Sequence, residues 1–176
     1  MTPVDLSRVA SFYHNYIRQV EAEDLMKAFT QYTKEWISFL QNIPEEQWDY
    51  AYAEGKWTIK ELVQHIIDAE RIFAYRALRI ARTDQTPLPG FDENLYTSNS
   101  KSARRTKKDL IEEMDIVRRS TIKLFENFDE GQLDASGITS GSPTYVKAIG
   151  FIILGHARHH QNIIAERYLN KKAPHV

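Results

Sequence analysis

His156 and His160 stand four residues apart, and His65 lies far from both in the chain. Four residues is about one helical turn, so on a helix His156 and His160 project from one face with imidazoles close enough to share a cation. Val146, Ile149, Ile153, His156, His160 and Ile163 are spaced three, four, three, four and three. That is a core stripe in which two successive inward positions hold histidine. A buried imidazole without a partner costs on the order of 1–3 kcal/mol, so such a pair needs a hydrogen-bond network or a ligand. For the pair taken alone, bonded core histidines are the commoner outcome.

His65 shifts the balance. Thr58 and Glu61 form a capping box that starts a helix, with Trp57 placed to staple against Leu62. From that start Thr58, Leu62, His65, Ala69 and Ile72 run along an inward face. Three histidines with no cysteine suit a borderline divalent ion such as zinc, nickel or iron(II), and three protein ligands leave coordination positions open for water or substrate. Asp68, one turn beyond His65, is a candidate base or partner of the imidazole, with Glu70, Gln161 and Glu166 behind it. For each of these the plainer reading is a surface or intrahelical ion pair.

Four long amphipathic segments must position these residues. They are expected over 24–42, 58–82, 106–128 and from Ser142, as N-cap with Pro143 first in the helix, to the region of the HxxxH pair. A short helix with an aromatic face is expected over 6–19, a long polar connection over 83–103 and a loop over 129–141; no strand has comparable support. A helical bundle follows. At about 1.5 Å per residue, His65 lies roughly 10 Å from the start of its helix and the other pair roughly 20–25 Å from the start of theirs. Shared coordination therefore favours an antiparallel pairing of the second and fourth helices. A plain up-down-up-down bundle makes them parallel, so the long connection is expected to carry a crossover, giving an all-α four-helix bundle of up-down-down-up topology in a single domain over 1–176.

The 23 basic and 24 acidic side chains give no general drive towards nucleic acid or anionic membrane. The basic cluster over 101–108 reads as a solvated surface rather than an anion site. The absence of cysteine excludes disulfides and a protein thiol nucleophile. With no signal-peptide pattern, and an apolar run over 148–154 too short to cross a bilayer, the chain is expected in the cytoplasm. Trp48, Tyr50, Tyr52, Trp57, Phe91 and Tyr96 read as core packing before pocket walls, His14 and His175 as surface or packing residues, and Asp92-Glu93-Asn94 as a turn.

The segments Trp57-Thr58-Ile59-Lys60-Glu61-Leu62-Val63-Gln64-His65-Ile66-Ile67-Asp68-Ala69-Glu70 and Gly155-His156-Ala157-Arg158-His159-His160-Gln161 resemble the first-histidine segment and the HxxxH helix of the DinB-like (YfiT-like) superfamily of metalloenzymes. The resemblance implies an up-down-down-up bundle and a divalent metal held by His65, His156 and His160. His159 is left out because it lies about 100° round the helix from His160. It further implies an enzyme acting on a small molecule, either a hydrolase or a transferase of low-molecular-weight thiols, and a homodimer. The alternative is a non-catalytic metal-binding or stress-associated bundle.

Overall fold

A computed structural model describes residues 4–170, so His175 lies outside the described residues. Two 3₁₀ turns, Leu6–Arg8 and Ser11–Tyr13, lead into α1 (His14–Arg18). The next three long helices each begin where a capping side chain stands. Asp24 accepts the Lys27 N–H at 2.7 Å and starts α2 (Leu25–Asn42). The reciprocal Thr58–Glu61 box starts α3 (Ile59–Ala81), with Glu61 Oε2 accepting the Thr58 N–H at 2.7 Å. The long connection after α3 contains α4 (Glu93–Asn99) and a 3₁₀ turn, Ser102–Arg104. Thr106 then caps α5 (Lys107–Glu126).

The segment expected to be a loop holds α6 (Glu130–Asp134) and an antiparallel hairpin of β1 (Ser136–Thr139) and β2 (Ser142–Tyr145). Ser142 and Pro143 therefore belong to a strand, and α7 (Val146–Ile163) starts three residues after Pro143. The reason lies in the turn. Ser140 and Gly141 both take positive φ, 51° and 74°, the conformation that a tight two-residue hairpin demands. Pro143 faces Ile138, one pair away from the turn-closing pair Thr139–Ser142, where its missing N–H breaks no ladder bond. Leu88 binds this hairpin through the Leu88 N–H to Ile138 O and the Ser140 N–H to Leu88 O, both 2.9 Å. The connection between α3 and α5 is thereby tied down.

Contacts between helix ends define the directions. Lys107 Nζ donates to the carbonyls of Gln41 and Ile43, so the start of α5 meets the end of α2. Arg105, just before α5, donates to Gln64 near the start of α3, and Arg71 pairs with Glu113, so α3 and α5 run parallel. Tyr168, beyond α7, donates to Trp57 O at 2.7 Å just before α3, so α3 and α7 are antiparallel. Leu25 lies against Gly150 and Glu35 pairs with Arg158, so α2 and α7 are parallel. The order is up-down-down-up, as the histidine positions require. Among the described residues no helix is long and apolar enough to cross a membrane.

Two apolar clusters fill the bundle, one around Phe29, Phe73 and Phe151, the other around Trp36, Trp48, Ile66 and Met114. Where one gives way to the other, the Arg118 guanidinium binds both Glu70 carboxylate oxygens at 2.8 Å and Thr33 Oγ1 at 3.1 Å. With both side chains almost wholly buried, removing either partner alone would strand a charge, a loss of about 3–5 kcal/mol.

α1 closes on α7 at Gly155. A Cβ there would stand 2.0 Å from the Tyr16 carbonyl oxygen, a backbone contact with no side chain to give way. Gly155→Ala is expected to destabilise the protein by about 3 kcal/mol in chemical denaturation while leaving its helical circular dichroism intact. A loss under about 0.5 kcal/mol would mean that α1 is not held there.

Candidate metal centre

The capped start of α3 sets His65 in its second turn, and α7 carries His156 and His160 one turn apart near its end. The antiparallel pairing brings them level. His156 Nε2 lies 3.1 Å from His65 Nε2 and 3.1 Å from His160 Nε2. One nitrogen from each ring falls within 4.8 Å of the others, a group that could hold a metal ion. His65 and His156 are only 8% and 6% exposed, and His160 is half-buried.

Burial decides the charge of these rings. It lowers His65 to about 4 and, with the adjoining histidines adding repulsion, His160 to about 3. His156 is pushed well below 6.5, first by burial and then by His160 and His65. At neutral pH the rings are therefore neutral, and each has one lone pair. Facing nitrogens at hydrogen-bond distance share at most one proton per pair, so the cluster presents acceptor lone pairs in excess. A divalent cation suits that donor set.

The histidines form part of the wall of a cavity of about 440 Å³. The Trp57 ring lies 5.0 Å from His65, and Tyr16 lies 5.4 Å from His156 and 5.2 Å from His159. Phe12, Phe73 and Phe91 complete the apolar walls, and Glu93 contributes a carboxylate. Trp57 and Phe91 are thus cavity walls, whereas Trp48 is wholly buried core. Tyr52 and Tyr50 pack edge-on against Tyr168. Tyr96 is exposed and lies against Phe91.

Asp68 is not among the residues lining this cavity. It faces α5, accepts from Gln64 at 3.0 Å and lies 3.8 Å from Arg71, with burial raising its pKa. Glu70 is committed to Arg118. Gln161 accepts from Arg158 at 3.4 Å, and Glu166 is exposed. His159 joins the cavity wall but not the converging group. His14 Nε2 lies between the carbonyls of Leu6 and Val9 at 3.0 and 2.9 Å, a packing role. In the basic cluster Arg104 and Lys108 are exposed as expected, whereas Arg105, paired with Asp109 and Glu113, and Lys107 are half-buried and tie helices together. The residue missed from the sequence is Glu93. Asp92 does make the expected turn, accepting the N–H groups of Asn94 and Leu95, but that turn opens α4. An Asx cap followed by Glu in the first turn was the available signal.

The depressed histidines predict a pH dependence. Unfolded, each ring takes up its proton near the usual value of 6.5; folded, His65 does so only near 4 and His160 near 3. Within that window the unfolded state holds more protons, so stability falls as the pH falls. In chelator, the denaturation midpoint of the metal-free protein should drop from pH 6.5 to 5, and a His156→Leu variant should drop less. A flat wild-type profile would contradict the burial of neutral rings.

Residues 28–164 match the profile of the DinB superfamily. A protein of Oceanobacillus iheyensis described as a "putative metal-dependent hydrolase" is 26% identical over 124 residues, 70% of this chain and 65% of that protein. The chain thus spans about two thirds of that relative's length. A Bacillus licheniformis protein of the same description is 27% identical over 142 residues, 72% of this chain and 80% of its own length. The solved structure of YfiT from Bacillus subtilis, described as "a probable metal-dependent hydrolase with an unusual four-helix bundle topology", superposes with a TM-score of 0.70 at 17% identity, over 82% of this chain and 86% of that one. With the profile covering most of the bundle and the fold shared, the chain belongs to the DinB superfamily.

Proposed function

We propose that this protein is a divalent-metal-dependent enzyme acting on a small molecule, with His65, His156 and His160 as the metal ligands and hydrolysis as the reaction. The convergence of the three Nε2 atoms at the edge of an aromatic cavity carries this reading. Among the described residues the group has three donors and no fourth, the pattern of a site that keeps positions open. Bound there, the ion supplies Lewis acidity, which polarises a substrate oxygen or lowers the pKa of a water or thiol.

The chain's own residues supply the rest. The aromatic walls hold a small apolar body and exclude bulk water. Glu93 faces the same space and serves as proton acceptor. Burial, with the Glu93 carboxylate adding to it, raises the Tyr16 phenol and keeps it protonated as a donor. The whole of residues 1–176 is read as one domain built round this cavity, and the absence of cysteine suits the reducing cytoplasm. The second reading is transfer of a small-molecule thiol. The same donor set suits a thiolate, and with no cysteine in the chain the sulfur must be the substrate's.

Protein purified without tag or added metal should carry about one divalent ion per chain by elemental analysis, and His156→Ala should lose most of it with helicity retained. Full stoichiometry in that variant would remove His156 from the site. Screening ester, amide and thiol-transfer substrates separates the two reactions; a metal-loaded protein inert in all of them would favour the non-catalytic bundle. On whichever substrate turns over, Glu93→Gln should lower kcat by about 100-fold with metal content unchanged. An undiminished kcat would exclude Glu93 as the proton acceptor.

A further inference from the structure

A second cavity, of about 230 Å³, adjoins the histidine cavity and shares Trp57 and His160 with it. The first turn of α4 borders both, with Glu93 on the histidine side and Asn94 on the other. Their electrostatics differ in sign. The second cavity is lined by Lys56 and Arg167 over an apolar floor of Leu62 and Ile163, and no acidic side chain lines it.

Both side chains are exposed, and among the described residues neither forms an ion pair with a carboxylate. Arg167 is nonetheless held in place. Arg167 Nη1 donates to the Tyr52 hydroxyl at 3.1 Å with its guanidinium 5.6 Å from the ring centroid. Tyr52 packs edge-on against Tyr168, which is tied to the Trp57 carbonyl at 2.7 Å. That chain of contacts leaves most of the guanidinium donors free to bind an oxyanion. Lys56 follows Gly55, whose φ of +71° closes the turn in which the Lys56 N–H reaches Ala53 O.

We propose that this cavity binds an anionic group, so that the small molecule processed at the histidines carries a compact oxyanion, carboxylate or phosphate, close to the reacting bond. The inference rests on the metalloenzyme reading for its substrate, but the anion site itself does not need the ion. Lys56 and Arg167 anchor the charged end, Trp57 and His160 separate it from the histidine cavity, and the reacting group lies beside His65 and His156. The anchors are specificity-determining residues and leave the metal ligands untouched.

Trp57 reports on binding, because Trp36 and Trp48 are buried in the core and Trp57 walls both cavities. The full chain, once metal-loaded and once stripped with chelator, is titrated with malonate and separately with inorganic phosphate while tryptophan fluorescence is followed. A saturable change is expected in both forms, weakening as salt is raised. The Lys56→Gln/Arg167→Gln double variant should bind about tenfold more weakly, with metal per chain unchanged, and Lys56→Arg should bind like wild type. The tighter of the two probes identifies the oxyanion. No saturable response to either probe would overturn the proposal. So would a response that requires the metal and survives in the double variant, since the anion would then sit at the histidines. Loss of metal stoichiometry in the wild type would instead defeat the metalloenzyme reading, and the titration of the stripped protein would still decide the anion site.

Discussion

Three imidazole nitrogens can meet only if α3 and α7 run in opposite directions, because His65 stands early in one and His156 and His160 late in the other. The rest of the architecture follows. With α3 and α7 antiparallel, α5 must run parallel to α3, and the chain between them has to travel the length of the bundle. That passage is anchored by Leu88 against the hairpin and brings Phe91 and the first residue of α4, Glu93, to the wall of the histidine cavity. The crossover therefore supplies both the bundle's handed order and the site's acidic wall.

A second constraint lies at mid-height. The Arg118–Glu70–Thr33 contact falls where the apolar clusters change over on α2, α3 and α5, and on α7 the same boundary falls at Gly155 and His156. A polar layer thus cuts across an otherwise apolar interior. Buried polar groups of this kind add little net stability but penalise any register that leaves them unpaired. Sliding α5 by one turn would separate Arg118 from Glu70.

Much of this was legible because local signals and periodicity agreed. Asp24, the Thr58–Glu61 box and Thr106 each begin a helix where the pattern expects one, and the histidine spacing alone argued for the crossover. What was missed depended on other physics. Ser142-Pro143 reads as a helix start, and only the left-handed φ values of Ser140 and Gly141 turn it into a strand. Asp68 lies one turn from His65, and the pull of Arg71 and Gln64 on the far face is not visible along a single helix. Glu93 sits in a polar connection without an apolar stripe; the Asx cap before it marks a helix start, and only the tertiary placement of that turn brings Glu93 to the cavity wall.

The backbone contact between Gly155 and Tyr16 joins an early segment of the chain to its last long helix. Residues 14–18 pack chiefly on α7, so as the polypeptide leaves the ribosome this segment waits for a partner more than a hundred positions downstream. Local helices form early and such distant contacts late. The wall that Tyr16 gives the histidine cavity therefore forms only once α7 has been made, and a chain cut short of α7 carries His65 without His156 and His160.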